Sequence, residues 1–198
     1  MIDPGTTRAA LLDLAQELSQ TRGLNAFSFK DLAKGVGIST ASVHHHFATK
    51  EDLAREVMVR YRDTFRAALE SIDGGTRSPR RKLERFAGIF RGTLRDGNRL
   101  CLCGMLATEY ATLPASVKAE VRAFYNEVED WLRQVLESGH DAAVFTFDSP
   151  TTVVARTFLS TLEGAMIAAR TFGDERRLAS AAKWFLDSIE AREHRRPS

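Results

Sequence analysis

Three histidines in a row, His44, His45 and His46, precede Phe47 in the stretch STASVHHHFATKEDL (residues 39–53). An imidazole can ligate a metal, change charge near neutral pH, or donate a hydrogen bond to a phosphate. Consecutive helix residues point about 100° apart, so the three rings diverge and do not make a three-histidine metal site. The pattern puts Val43, His46 and Phe47 on an inner face, with Ala41 or Ser42 beside them. A second cluster, Cys101-Leu-Cys103, offers thiols for redox or metal chemistry. Two residues apart on a helix, they project about 200° from each other and do not bridge easily. Further metal ligands would have to come from His140 or His194, at no ligand spacing, so no metal is expected. No Ser/His/Asp set, Gly-rich phosphate loop or H-E-x-x-H motif is present, so neither an enzyme nor a cofactor is expected.

These residues need elements to hold them, and nearly every segment reads as helix. Ala9, Leu12, Ala15 and Leu18 form the apolar face of a helix over 6–22 that stops at Gly23. Ser28 caps a short helix with Asp31 in its first turn. Gly37 supplies the positive φ of a tight turn, and Ser39 or Thr40 caps the next helix. Thr49 caps a longer helix over 50–72, and "DGGTRSP" (73–79) breaks the chain. Further helices are expected near 79–96, 100–112, 114–138, 151–172 and 175–193, with "AAVFTF" (142–147) as loop or helix end. The expected fold is all-α, divided as residues 1–50, a connecting helix 51–73, and a larger helical domain 74–198.

At 198 residues, 43% hydrophobic and 27% charged, the chain has the composition of an ordinary globular protein. It has no apolar run of about 18 residues, no basic N-terminal leader pattern and only two cysteines, so a cytoplasmic address is expected. The net charge is only +2, so any nucleic-acid contact must come from local patches; residues 77–99 carry eight Lys/Arg against two acids.

Two short helices joined by a glycine turn, between two longer ones, make a helix-turn-helix unit whose second short helix enters the DNA major groove. Its outward residues Thr40, Ser42, His44 and His45 suit base edges and phosphates, and Lys50 opens the following helix where an anion is favoured. The stretch FSFKDLAKGVGISTASVHHHFATKEDL resembles the DNA-binding signature of the TetR family of bacterial regulators. Leu32, Ala33, Val36, Gly37, Ile38, Ser39, Val43, His46, Phe47, Thr49, Lys50, Glu51 and Leu53 fit it. Ala41 replaces the family's usual Gly, and His44 its usual phosphate-touching Tyr. The resemblance implies a three-helix head, a connecting helix, and a helical ligand and dimer domain. The expected DNA-contacting set is Ser28, Lys30, Ser39, Thr40, Ala41, Ser42, His44, His45 and Lys50. Were His44 and His45 to contact phosphates, affinity would rise as pH falls through about 6.5.

A small-molecule effector is expected between helices of the larger domain. Lining candidates in its first half are Phe86, Phe90, Cys101, Met105, Glu109 and Tyr110. Those further on are Phe124, Val128, Trp131, Phe158, Leu162 and Met166. Most such aromatics at helical spacing serve as core. Glu109 and Glu163, carboxylates within apolar stretches, either orient a ligand or pair with Arg156 or Arg170. The last two helices are expected to form a four-helix dimer interface through Phe158, Leu159, Ala165, Ala169, Trp184, Phe185 and Ile189. The expected function is a dimeric repressor released from a palindromic double-stranded operator by its effector. The alternative is release through oxidation of Cys101 or Cys103, near Arg91, Arg95 and Arg99.

Overall fold

A computed structural model describes residues 4–191. Among the described residues nine α-helices follow in order: α1 (Pro4–Arg22), α2 (Phe29–Val36), α3 (Thr40–His46), α4 (Lys50–Gly75), α5 (Pro79–Arg95), α6 (Leu102–Thr108), α7 (Ala115–Asp141), α8 (Thr151–Phe172) and α9 (Arg176–Ile189). Short 3-10 turns lie at Leu24–Ala26 and Tyr110–Thr112. The last helix stops at Ile189, short of the expected 193; residues 192 and 193, and the candidate ligand His194, lie outside the described residues. "AAVFTF" contributes one antiparallel bridge, Phe145 to Glu190, and no strand. The chain forms two compact units, one from residues up to 67 with 96–125, the other from 68–95 with 126 onward. This grouping cuts across the linear 1–50, 51–73 and 74–198 division, because α4 and α7 each contribute to both units.

In the first unit, local side-chain chemistry starts each short helix. Ser28 accepts from the Asp31 N–H at 3.4 Å, and the Asp31 carboxylate accepts from the Ser28 N–H at 2.7 Å, a reciprocal capping box. Ser39 Oγ accepts from the Ser42 N–H at 3.1 Å, so Ser39, not Thr40, is the cap. Thr49 and Asp52 repeat the reciprocal arrangement at 3.1 and 3.0 Å. Gly37 ends α2 at φ +77°, a left-handed turn that glycine adopts without Cβ strain. Leu11, Leu32, Val43, Leu53 and Met58 are all 0% exposed and form the centre of this core. The Arg8 guanidinium lies 4.8 Å from the Phe47 ring centroid and pairs with Glu56.

The 96–125 part of this unit is tied to α1 and the turn after it by hydrogen bonds, and to α4 by a packed ring cluster. The Leu100 N–H donates to Gln20 O at 3.2 Å, and Gln20 Nε2 donates to Leu100 O at 2.9 Å. Glu109 was expected either to line a ligand cavity or to pair with Arg156 or Arg170. Its carboxylate instead accepts from the N–H groups of Leu24 at 2.7 Å and Asn25 at 3.2 Å. Those are unbonded donors of a helical turn, where a negative charge is favoured. Gly23 stands at φ +97°, and a Cβ there would meet Glu109 Oε1 at 2.8 Å. Arg156 pairs with Glu129 at 2.9 Å. The rings of Tyr61, Phe65 and Phe124 cluster, Phe65 to Phe124 at 4.9 Å edge-on.

In the second unit α5, α8, α9 and the 126–141 part of α7 share a core of rings. Phe158 stacks on Phe185 at 4.7 Å, and Phe86 on Trp131 at 5.5 Å. Arg80 joins α5 to α9 through Asp187 and to Glu190 just beyond it, both at 2.8 Å.

Two outcomes follow from these contacts. The hydrogen bonds from the Ser28 side chain and backbone, set against a small burial cost, hold the Asp31 carboxyl below the usual carboxylate range. A lowered folded-state value means the contribution is complete above the unfolded value, about 3.9, and is lost as pH falls through the lowered one. Asp31→Asn should therefore lower the melting temperature at pH 7 and bring it closer to that of the unmodified protein at pH 2.5, read by circular dichroism. Glu109→Ala should cost about 1–3 kcal/mol in urea unfolding because the N–H of buried Leu24 loses its acceptor. Glu109→Gln, which keeps an acceptor oxygen, should cost less.

Candidate nucleic-acid interface

The face of α3 turned away from the core is built by the same register that buries Val43 and Phe47, which are 0% and 2% exposed. Thr40, Ala41, His44 and His45 are exposed, and Ser39 is exposed at the N-cap. Ser42 is half-buried, its Oγ 2.8 Å from Ser39 Oγ, so both hydroxyls already have a partner. The inner-face alternatives resolve toward Ser42 rather than Ala41. The His44 ring sits edge-on to Phe29 with centroids 4.9 Å apart, which orients an otherwise exposed imidazole. His46 is half-buried and 5.7 Å from the His45 ring. Of the expected contacts from α2, Lys30 is exposed, while the exposed Ser28 is engaged by Asp31.

Lys50 departs from the expectation of a phosphate-facing ammonium. Its Nζ donates to the Phe27 carbonyl and lies 4.5 Å from the Phe27 ring centroid. Burial pulls this amine below the usual lysine range, against the pull of Glu109 and Asp31 in the other direction. Here the lysine fastens the start of α4 to the segment before α2. Phe29 and Phe27, absent from the expected set, are the aromatic supports of His44 and Lys50. Their signal in the sequence is the F-x-F pair flanking the Ser28 cap.

The expected effector-lining residues do not share one compact unit. Cys101, Met105, Glu109, Tyr110 and Phe124 belong to the first; Phe86, Phe90, Val128, Trp131, Phe158, Leu162 and Met166 belong to the second. Phe86, Phe90, Phe124, Val128, Phe158, Leu162 and Met166 are at most 2% exposed and pack as core. Tyr110 is half-buried, and its hydroxyl accepts from Arg122 Nε at 2.5 Å. Trp131 lines a cleft within the second unit. The expected dimer set also divides. Phe158, Leu159, Ala169, Phe185 and Ile189 are at most 7% exposed and pack within their own unit. Ala165 is half-buried and Trp184 is 71% exposed, in company with Phe172 at 65%, Ile167 at 49% and Val153 at 48%.

Among the described residues no group of three or more His, Cys, Asp or Glu side chains is arranged to hold a metal ion. Among them, too, no helix is long and apolar enough to cross a membrane.

Comparison with known proteins places this arrangement. Residues 11–57 match the family described as bacterial regulatory proteins, tetR family, and residues 79–185 match the tetracyclin repressor-like C-terminal domain. A TetR-family transcriptional regulator from Agrobacterium tumefaciens is similar in structure, with a TM-score of 0.92 and 32% identity over 96% of this chain and 100% of that one. A TetR transcriptional regulator from Legionella pneumophila has a TM-score of 0.83 and 33% identity over 91% and 96% of the two chains. The HTH-type transcriptional repressor KstR2 of Mycobacterium tuberculosis is 39% identical over 83 residues, which is 42% of this chain and 40% of that protein. The similarity to that curated repressor thus spans well under half its length. The chain belongs to the TetR family of bacterial regulatory proteins.

Proposed function

We propose that the protein is a dimeric, cytoplasmic transcriptional repressor that binds a palindromic operator and leaves it when a small molecule binds the helical domain. The observation that carries this reading is the outward face of α3, polar and exposed between two capped helices whose apolar sides are buried. Residues 1–50 act as the DNA-binding head, 51–73 as the connecting helix, and 74–198 as the effector and dimer domain. Thr40, Ala41 and Ser42 approach base edges, while Lys30, His44 and His45 approach phosphates. Ser28 and Ser39 hold their helix starts, and Lys50 fixes the start of α4 while lying near the backbone. An effector acts only by favouring the head spacing that does not fit the operator.

The exposed Val153, Ile167 and Phe172 of α8 and Trp184 of α9 supply apolar surface for a second copy. A two-fold pair of heads then reads half-sites about one helical turn apart. Thiol-based release has weaker support. Cys101 is 2% exposed, Cys103 is 0% exposed, and Arg99 is engaged by Glu17 and Asp96. Such burial keeps oxidants from the sulfurs.

Gel shifts with DNA from the protein's own upstream region should show specific binding that weakens as salt rises. Loss of binding at every salt concentration sinks the proposal. His44→Ala should weaken binding by a similar factor across operator sequences, the signature of a phosphate contact rather than base readout. Trp184→Asp should convert the dimer to a monomer in analytical ultracentrifugation while leaving the helical circular dichroism signal intact. A Trp184→Asp protein that stays dimeric removes the proposed interface.

A further inference from the structure

Within the second compact unit, the end of α4, the start of α5 and one face of α7 surround a cleft of about 150 Å³. Asp73, Arg77, Lys82, Trp131, Gln134 and Ser138 are its polar and aromatic lining, with Pro79 and Val135 adding apolar surface. Trp131, Gln134, Val135 and Ser138 fall on one side of α7 by their three- and four-residue spacing. The Asp73 carboxylate uses both oxygens inside this lining. Oδ1 accepts from Lys82 Nζ at 2.5 Å, and Oδ2 accepts from Trp131 Nε1 at 2.9 Å. Burial pushes the Asp73 carboxyl up, but the hydrogen bonds from Lys82 and Trp131 outweigh it, and the group sits below the usual carboxylate range. Asp73 is therefore charged, matched by Lys82, and committed to holding the indole. Stacking on Phe86 fixes the ring from within the core.

Three other side chains of the cleft are uncommitted. Arg77, Gln134 and Ser138 are exposed and make no side-chain hydrogen bond or ion pair among the described residues. With Lys82 offsetting Asp73, Arg77 leaves the lining one positive charge in excess. A guanidinium presents paired donors that match a carboxylate, and the amide and hydroxyl add donors at the same place. A volume of about 150 Å³ is enough for a molecule the size of benzene, in a cleft that stays open to solvent.

We propose that this cleft binds a small aromatic carboxylate, with its ring against Trp131, Val135 and Pro79 and its carboxylate on Arg77, Gln134 and Ser138. An amine of the same size meets an excess positive charge, and a neutral ring leaves Arg77 unmatched. The proposal names a chemical class for the effector and in that sense rests on the repressor reading, although binding to the cleft is measurable without it.

Calorimetric titration of the full chain with benzoate tests the site directly, with benzamide and benzylamine as controls. Saturable benzoate binding is expected, with benzamide at least about tenfold weaker and benzylamine weaker still. Arg77→Gln should weaken benzoate binding about tenfold, and Arg77→Lys by less, because a point charge replaces the fork. Ser138→Trp, which fills the cleft from an exposed helix position, should abolish it. Absence of saturable benzoate binding overturns the proposal, as does equal binding by Arg77→Gln or by benzamide. Parallel gel shifts separate this from the repressor reading. Benzoate binding without any operator binding leaves the cleft standing and removes the repressor, and operator binding without benzoate binding does the reverse.

Discussion

Helices of seven and eight residues do not persist alone in water, since nucleation cost outweighs the few hydrogen bonds they form. α3 and α2 have those lengths and exist because Leu32, Val43, Phe47 and Leu53 are withdrawn from solvent with Leu11 of α1. Each such side chain contributes about 1.5–3 kcal/mol on burial. The same burial fixes the rotation of α3 about its axis. With Val43 and Phe47 inside, Thr40, Ala41, His44 and His45 have no direction left but outward. The recognition surface is thus a geometric corollary of the core rather than a separate feature added to it.

The second unit shows how a polar cluster can be fixed at the edge of an aromatic core. Phe86, Phe158 and Phe185 stack inside, and Trp131 joins them by its face while its N–H reaches Asp73. An indole needs such a partner when it is partly buried. Satisfying it recruits a carboxylate, and the carboxylate in turn requires a cation, which Lys82 supplies.

Local features were legible in the sequence because their causes are local. Ser28, Gly37, Ser39 and Thr49 cap or turn the chain through neighbours three or four residues away, and each performs that role in the structure. Periodicity likewise located the helices to within a few residues. Three things depended on partners remote in the chain and were not legible. Glu109 reads as an isolated carboxylate until Leu24 and Asn25 come within reach, 85 and 84 residues away. Lys50 reads as a free cation until the Phe27 carbonyl takes it. The apolar stripes of α8 and α9 do not say in the sequence which of their residues meet each other. In the structure Phe158 and Phe185 do, and Ile167, Phe172 and Trp184 remain outside.

The long reach of Glu109 has a consequence for the order in which the protein is made. All the caps of α2, α3 and α4 lie between residues 28 and 52 and are complete once that segment exists. The closing bonds of the same unit, Gln20 with Leu100, Leu24 with Glu109 and Asn25 with Thr112, span 80 to 87 residues. Local contacts form early, while distant ones wait for a loop to close. On the ribosome, the first three helices therefore take shape with the turn at Leu24–Ala26 still lacking its carboxylate. They are secured only after the whole of α4 and α5 has been synthesised. A pause or truncation in that interval leaves a head with its helices started and its clamp missing.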